Sequence, residues 1–280
     1  MASKLNKSVI FSSRADTGWV SVIEKATMKE IYTFKLASGY LRSDVVTFDT
    51  GSSLLASMIN SKGHIEVYSL FDTKADRVNS NIPTPATTSI NGASNSLALD
   101  KNGNLYVLNG TSTFYLSKLA LTGDKYATSV TDYLSETVDK ASLTNGNSVG
   151  WQTLALNRGL LYIEETNSLW VQVNAYNSSS TYANHKGEEV PLFLVIDLNL
   201  SKGQYISLDK FYGFGEYSRM SAVNRDRSNT WYHKIHTMTY SRHLKSVLMV
   251  MSHSINDYSI PKPVVIGVDV TNFKLSLKVN

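Results

Sequence analysis

The chain has 280 residues, a formal net charge of +4, 42% hydrophobic residues and no cysteine. That length can bury a full core, and all-β chains of this size are commonly single domains, so one domain over 1–280 is expected. Without cysteine there are no disulfides, thiolate metal sites or cysteine nucleophiles, and no window approaches the ~20 apolar residues of a spanning helix.

The opening MASKLNKSVIFSS lacks the apolar core of ~7–15 residues that marks a signal peptide. Cytoplasmic synthesis is therefore expected, with release by lysis or a non-Sec route, or incorporation into a virion, as destinations. The modest net charge argues against nucleic acid as a partner, because any such affinity would have to be local. The 22 Asn and 16 Tyr, many in Ser/Thr-rich stretches, suit a β-rich surface that hydrogen-bonds more than it carries charge.

Residues 12–19, SSRADTGW, place Ser13, Asp16, Gly18 and Trp19 in an order that resembles the Asp box of sialidases, S-x-D-x-G-x-T-W, with both spacings off by one residue. The resemblance implies a structural turn and no catalysis. Next comes WVSVIEKATMKEIYTFKL (19–36), two alternating strands about a polar turn with no recognisable strand before them. VVTFDTGSSLLASMI (45–59) and IEVYSLFDTKADRVNSNI (65–82) form a pair of such hairpins, followed by the turn-rich stretch 80–95. LALDKNGNLYVLNG (97–110) with FYLSKLALTGDKYATSV (114–130) makes another pair. LALNRGLLYIEE (154–165) with LFLVIDLNLSKGQYISL (192–208) makes a third. TMTYSRHLKSVLMVM (237–251) with VVIGVDVTNFKLSLKV (264–279) closes the series. Each shows the period of two broken by turn residues.

Two consecutive hairpins make a four-stranded antiparallel sheet, and repeated units of that kind predict an all-β β-propeller. Five blades are expected. Six is the alternative, because 151–190 holds three strand-like runs (WQTLALN, GLLYIEE, SLWVQVNAY) where the repeat needs two. A sandwich or solenoid of hairpins is the other architecture this pattern allows. In LALDKNGNLYVLNG, Asp100 is suited to start an Asx turn, Gly103 to take a positive φ, and Asn104 to tolerate one. This strand–DxxGN–strand text resembles a blade of the NHL, gluconolactonase and YncE-like propellers. The resemblance implies the fold and carries no active site.

In an up-and-down sheet, successive connections alternate between the two strand ends. The turns inside the hairpins are short and share one end, while the long segments 80–95, 131–150, 174–190, 209–235 and 252–263 fall to the other. Elaborated loops on a rigid scaffold are where binding usually resides. The most unusual stretch lies there: from Arg219 to Lys245 six Lys or Arg (Arg219, Arg225, Arg227, Lys234, Arg242, Lys245) face the single acid Asp226. Three of the six His and the rings of Trp231, Tyr232 and Tyr240 are interleaved. Its strand portion is expected from Ile235, which puts Arg242, His243 and Lys245 at the opposite end. Arg there can grip an anion bidentately; the competing assignment is a solvated loop.

Other motifs are weaker. His233 and His236 (HKIH) stand at i and i+3, on opposite faces of a strand, so no metal is expected. GNSVG (146–150) matches G-x-S-x-G without the strand before and helix after that a nucleophile elbow needs. Glu164/Glu165 and Glu188/Glu189 are adjacent pairs that alternate faces in a strand, unlike the carboxylates ~5–10 Å apart of a glycosidase. FYGFGEY (211–217), Tyr176, Tyr182, Trp231, Tyr232 and Tyr258 supply loop aromatics suited to protein or sugar contacts.

These features predict a non-catalytic binding or assembly module. It would dock through its long-loop face onto a protein partner or a second copy, with a glycan or other anion as the alternative ligand. The binding residues predicted are Tyr182, Tyr217, Arg219, Arg225, Arg227, Trp231, Tyr232, His233 and Tyr258, with no catalytic residue and no cofactor. In style the sequence resembles bacteriophage virion and tail proteins with propeller domains. The alternative from another class is a propeller hydrolase or lyase, or a lectin, acting on a polysaccharide.

Overall fold

The computed structural model describes residues 3–14, 16–83, 96–110, 114–128, 131–136, 151–177, 189–199, 202–207, 232–254 and 262–270. Among them there is no helix, and every pairing assigned between strands is antiparallel. The chain divides into two compact units, Met1–Gly110 with Tyr115–Ser135, and Thr111–Phe114 with Glu136–Asn280.

In the first unit, β1 (Val9–Ser13), β2 (Trp19–Glu24) and β3 (Lys29–Lys35) form a three-stranded meander. Four strands, β4 (Val46–Asp49), β5 (Leu54–Ile59), β6 (His64–Leu70) and β7 (Ala75–Pro83), form the next. The third contains β8 (Ser96–Leu99), β9 (Leu105–Gly110), β10 (Phe114–Leu119) and β13 (Thr131–Glu136), with a two-stranded ribbon of β11 (Leu121–Thr122) and β12 (Lys125–Tyr126) between β10 and β13. In the second unit, β14 (Trp151–Ile163), β15 (Ser168–Asn177), β16 (Glu189–Asp197) and β17 (Lys202–Ser207) make a four-stranded sheet. The last sheet contains β18 (Tyr232–Ser241), β19 (Ser246–Ser254) and β20 (Lys262–Asp269). These are all-β meanders of the propeller-blade type, as the alternation predicted.

Three details depart from the expected hairpins. VIFSS at β1 supplies a strand ahead of β2, paired from Val9↔Glu24 to Ser13↔Val20, where none was recognised. WQTLALN and GLLYIEE are one strand, β14, whose register against β15 shifts between Ala155 and Leu160. The apparent third run is thus an irregularity inside a strand. The fourth strand of the third sheet is Thr131–Glu136, later than the expected 125–130, because the chain first forms the β11–β12 ribbon.

Period-two alternation becomes packing where consecutive sheets stack face to face. Ala56, Met58, Tyr68 and Leu70 of β5 and β6 meet Val20, Val22 and Phe34 of the first sheet, with Leu5 and Leu36. The other face of the same two strands, Leu55, Ile59, Ile65 and Val67, meets Leu97, Leu105, Val107, Leu119 and Tyr126 of the third. The middle sheet is therefore covered on both sides, which explains its unbroken burial from Leu55 to Asn60 and from Ile65 to Leu70. In the second unit Ile163, Trp170 and Val195 pack on Met238, Val247, Met249 and Val268. Each fully buried large apolar side chain contributes roughly 1.5–3 kcal/mol.

Candidate functional site

The structure describes little of the predicted binding set. Tyr232 and His233 are the first two residues of β18, their backbones paired with Ser254 and His253. The strand therefore begins three residues before the expected Ile235, and these two positions are strand, not loop. Tyr182, Tyr217, Arg219, Arg225, Arg227, Trp231 and Tyr258 lie outside the described residues, as do 146–150 and Glu188. Arg242, His243 and Lys245 occupy the β18–β19 turn, at the far end of a strand of ten residues, roughly 30 Å from Tyr232 at ~3.3 Å per residue. Among the described residues, Tyr232 and His233 therefore stand at the opposite strand end from Arg242, His243 and Lys245.

Two further readings can be placed. The register of β18 shifts between Ile235 and Thr237, at His236, and among the described residues no group of three His, Cys, Asp or Glu is disposed to hold a metal ion. Glu164 and Glu165 lie in the turn between β14 and β15, not in the strand assumed for them. Both are exposed, and Glu164 accepts an ion pair from Arg242 at 3.4 Å. Beside them the Tyr240 hydroxyl is pushed up to about 12 by desolvation and by Glu165.

What the fold does bring together is a set of carboxylates at the turns and sheet faces of the first unit. Glu66, in β6, is fully buried on the face that meets the first sheet. Its Oε2 accepts the Ala37 amide at 2.7 Å and the Tyr68 hydroxyl at 2.6 Å. Its Oε1 accepts the Asn60 side-chain amide at 2.6 Å and the Ser38 amide at 3.4 Å. Four donors from three segments make a buried carboxylate tolerable, since each bond to a charged acceptor is worth ~1.5–3 kcal/mol. Burial and the Glu66 carboxylate push the Tyr68 hydroxyl well above its ordinary range.

Asn60 and Asp100 show that two turns of neighbouring sheets share one design. Asn60 Oδ1 accepts the amides of Lys62 and His64, and Asp100 Oδ1 accepts those of Asn102 and Asn104. Gly63 (φ 76) and Gly103 (φ 79) take the positive φ that closes each turn. Asn104, suited to tolerate that conformation, does not adopt it. Instead it donates its side-chain amide to Asp100 and accepts the Leu121 amide, tying the turn to the β11–β12 ribbon. Tyr126 of the same ribbon donates to the Gly103 carbonyl at 2.8 Å.

An exposed seam links three more segments. Lys4 donates to both oxygens of Asp49 and to the Gly51 carbonyl, and the Gly51 amide returns to Asp49. Thr50 and Ser52, in the same β4–β5 turn, donate their hydroxyls to Asp124 in the β11–β12 turn, Ser52 at 2.7 and 2.6 Å. The Lys4 ammonium and Gly51 amide lower the Asp49 carboxyl, and the Ser52 and Thr50 hydroxyls lower that of Asp124. Sequence reasoning missed Glu66, Asp49 and Asp124. The legible signal for Glu66 was one acid set among Ile65, Val67, Tyr68 and Leu70 of β6; for Asp49 it was the turn text DTGSS.

No family model and no curated protein matches the chain. Among solved structures it is similar to a protein of unknown function from Bacteroides caccae, at 9% identity and a TM-score of 0.48 over 94% of this chain and 80% of that one. It is similar to the major Malassezia sympodialis allergen Mala s 1 at 11% identity and a TM-score of 0.39, over 97% and 94% of the two chains. The Dos1 propeller aligns at 10% identity and a TM-score of 0.41, over 96% of this chain and 64% of that one. At such scores and identities these likenesses carry neither function nor site residues over to this chain.

Proposed function

We propose that the chain is a non-catalytic β-propeller of five blades that serves as a recognition or assembly module. The observation that carries this reading is how four carboxylates of the first unit are employed. Glu66, Asp100, Asp49 and Asp124 each spend their oxygens on backbone amides, hydroxyls, side-chain amides or Lys4 that hold turns and sheets together. Acids used as structural acceptors support a scaffold, and a scaffold's function then falls to its connections.

The docking element of this proposal is the basic aromatic connection between β17 and β18, with Arg219, Arg225, Arg227 and Trp231, running into Tyr232 and His233. In sequence Tyr217 belongs to the same connection, Tyr182 to that between β15 and β16, and Tyr258 to that between β19 and β20. Arg and aromatic side chains are the residue types that dominate protein contacts. The natural setting in this reading is a multi-protein particle such as a bacteriophage virion or tail, supported by the cysteine-free, Asn- and Tyr-rich β composition.

Size-exclusion chromatography with light scattering tests the reading on the full chain. A stable oligomer, or self-association weakened by salt and by the pair Arg225→Ala and Arg227→Ala, is the expected result. A monomer at all concentrations, binding neither a second copy nor an acidic protein surface at low salt, would overturn it.

A further inference from the structure

The motif at 12–19 acquires a different meaning once folded. Trp19 opens β2 and is 46% exposed, while Tyr40, in the connection after β3, is 42% exposed. Their rings spring from neighbouring points. The residues just before them, Gly18 and Gly39, are so close that a Cβ on Gly18 would stand 2.3 Å from the Gly39 carbonyl oxygen. Gly39 in turn rests on Ser61, and Tyr40 exchanges two hydrogen bonds with Ser61 through its amide and its carbonyl. Three chain segments thus meet at the point where two half-exposed aromatic residues begin.

Exposed charge at these segments is mostly basic, while the buried Glu66 carboxylate lies under the Ala37 and Ser38 amides. Lys35 pairs with Trp19 across β2 and β3, its ammonium 6.0 Å from the indole centroid. Exposed Arg14 stands in the turn leading to Gly18, and exposed Lys62 follows Ser61; the acid within the same turn is Asp16. Two half-exposed rings offer far less area than the ~1,200–2,000 Å² of a stable protein interface. They match one or two sugar rings, whose C–H faces lie against the electron-rich face of an aromatic. Lysine and arginine at the margin select sugars that carry a carboxylate.

The geometry points to a binding platform for an acidic glycan, with Trp19 and Tyr40 stacking pyranose rings and Lys35, Lys62 and Arg14 pairing with their carboxylates. Uronate and sialate sugars share that chemistry. The site lies apart from the docking element proposed above and does not depend on it.

Titration calorimetry and tryptophan fluorescence on the full chain test it, with tetragalacturonate and sialyllactose as probes, and cellotetraose and a hexaglutamate peptide as controls. The expected result is saturable binding of at least one anionic sugar, with the better one naming the sugar class. Trp19→Ala should weaken it at least tenfold, and Lys35→Gln about threefold with a shallower salt dependence. Should Trp19→Ala lower the melting temperature, Tyr40→Ala on a separate segment carries the same test, with at least a fivefold loss expected. Equal affinity for cellotetraose would overturn the charge selection, and equal affinity for hexaglutamate would overturn the glycan. No binding of either acidic sugar, or unchanged affinity in Tyr40→Ala, would overturn the site.

Discussion

Glu66 and Tyr68 stand two residues apart on one face of β6, and the phenol donates to the carboxylate at 2.6 Å inside the contact between the first two sheets. The same carboxylate holds the Ala37 and Ser38 amides just beyond β3, so one acid joins two sheets.

Replacing that acid should therefore be costly in a specific way. Three of the four partners of Glu66 are N–H donors that cannot accept, so Glu66→Gln sets its amide N–H against at least one of them. A loss of about 2–4 kcal/mol is expected for Glu66→Gln, and about 1 kcal/mol for Tyr68→Phe, which removes one donor and leaves three. Urea unfolding followed by tryptophan emission measures both, and equal stability of Glu66→Gln and wild type would refute the network's role.

Gly103 combines φ 79 with close neighbours: a Cβ there would stand 2.4 Å from the Phe48 ring and 2.6 Å from the Leu121 side chain. Gly103→Ala should lower stability by about 1–3 kcal/mol, through left-handed backbone strain and overpacking together. The drop should show as a lower urea midpoint with an unchanged slope.

Met28 presents the opposite case. It holds φ 55 at the end of the β2–β3 turn with its side chain 67% exposed. Little packing is lost on removing it, and glycine adopts that backbone freely. Met28→Gly should raise stability by roughly 0.5–1 kcal/mol, read as a higher melting temperature.

Acid should loosen the seam between the β4–β5 and β11–β12 turns. The Asp124 carboxyl is lowered in the fold by Ser52 and then Thr50. A depressed carboxylate contributes stability that is present above its unfolded value, ~3.9, and lost as pH falls through the folded one. Wild type should lose stability below about pH 4 more steeply than Asp124→Asn. Parallel pH profiles of the two in thermal melts would remove Asp124 from the account.

Much of the fold was legible because strand alternation is a local property. WVSVIEKATMKEIYTFKL reads as two strands and a turn without knowledge of any neighbour, and the Asp100–Gly103 turn was readable from residue chemistry alone. The β14 run misled because a register shift inside a strand resembles a turn in text: the chain at Ala155–Leu160 breaks the alternation without reversing direction. The β1 strand was missed because VIFSS is short and half-exposed, so its apolar alternation is faint.

The site was less legible. Nothing near Glu66 in sequence announces Ala37, and nothing near Thr50 announces Asp124, 74 residues away. Trp19 reads as part of a turn motif until Gly39 is set against Gly18.

By itself the sequence determined the strand-and-turn repeat, the positive φ of Gly103 and the absence of cysteine chemistry, because each depends on residue type and near neighbours along the chain. Only the tertiary structure decided which acids are consumed inside the fold and which distant turns meet beside its exposed rings. Those relations arise when sheets stack and turns from distant segments meet, and contacts across that distance leave no periodic trace along the chain.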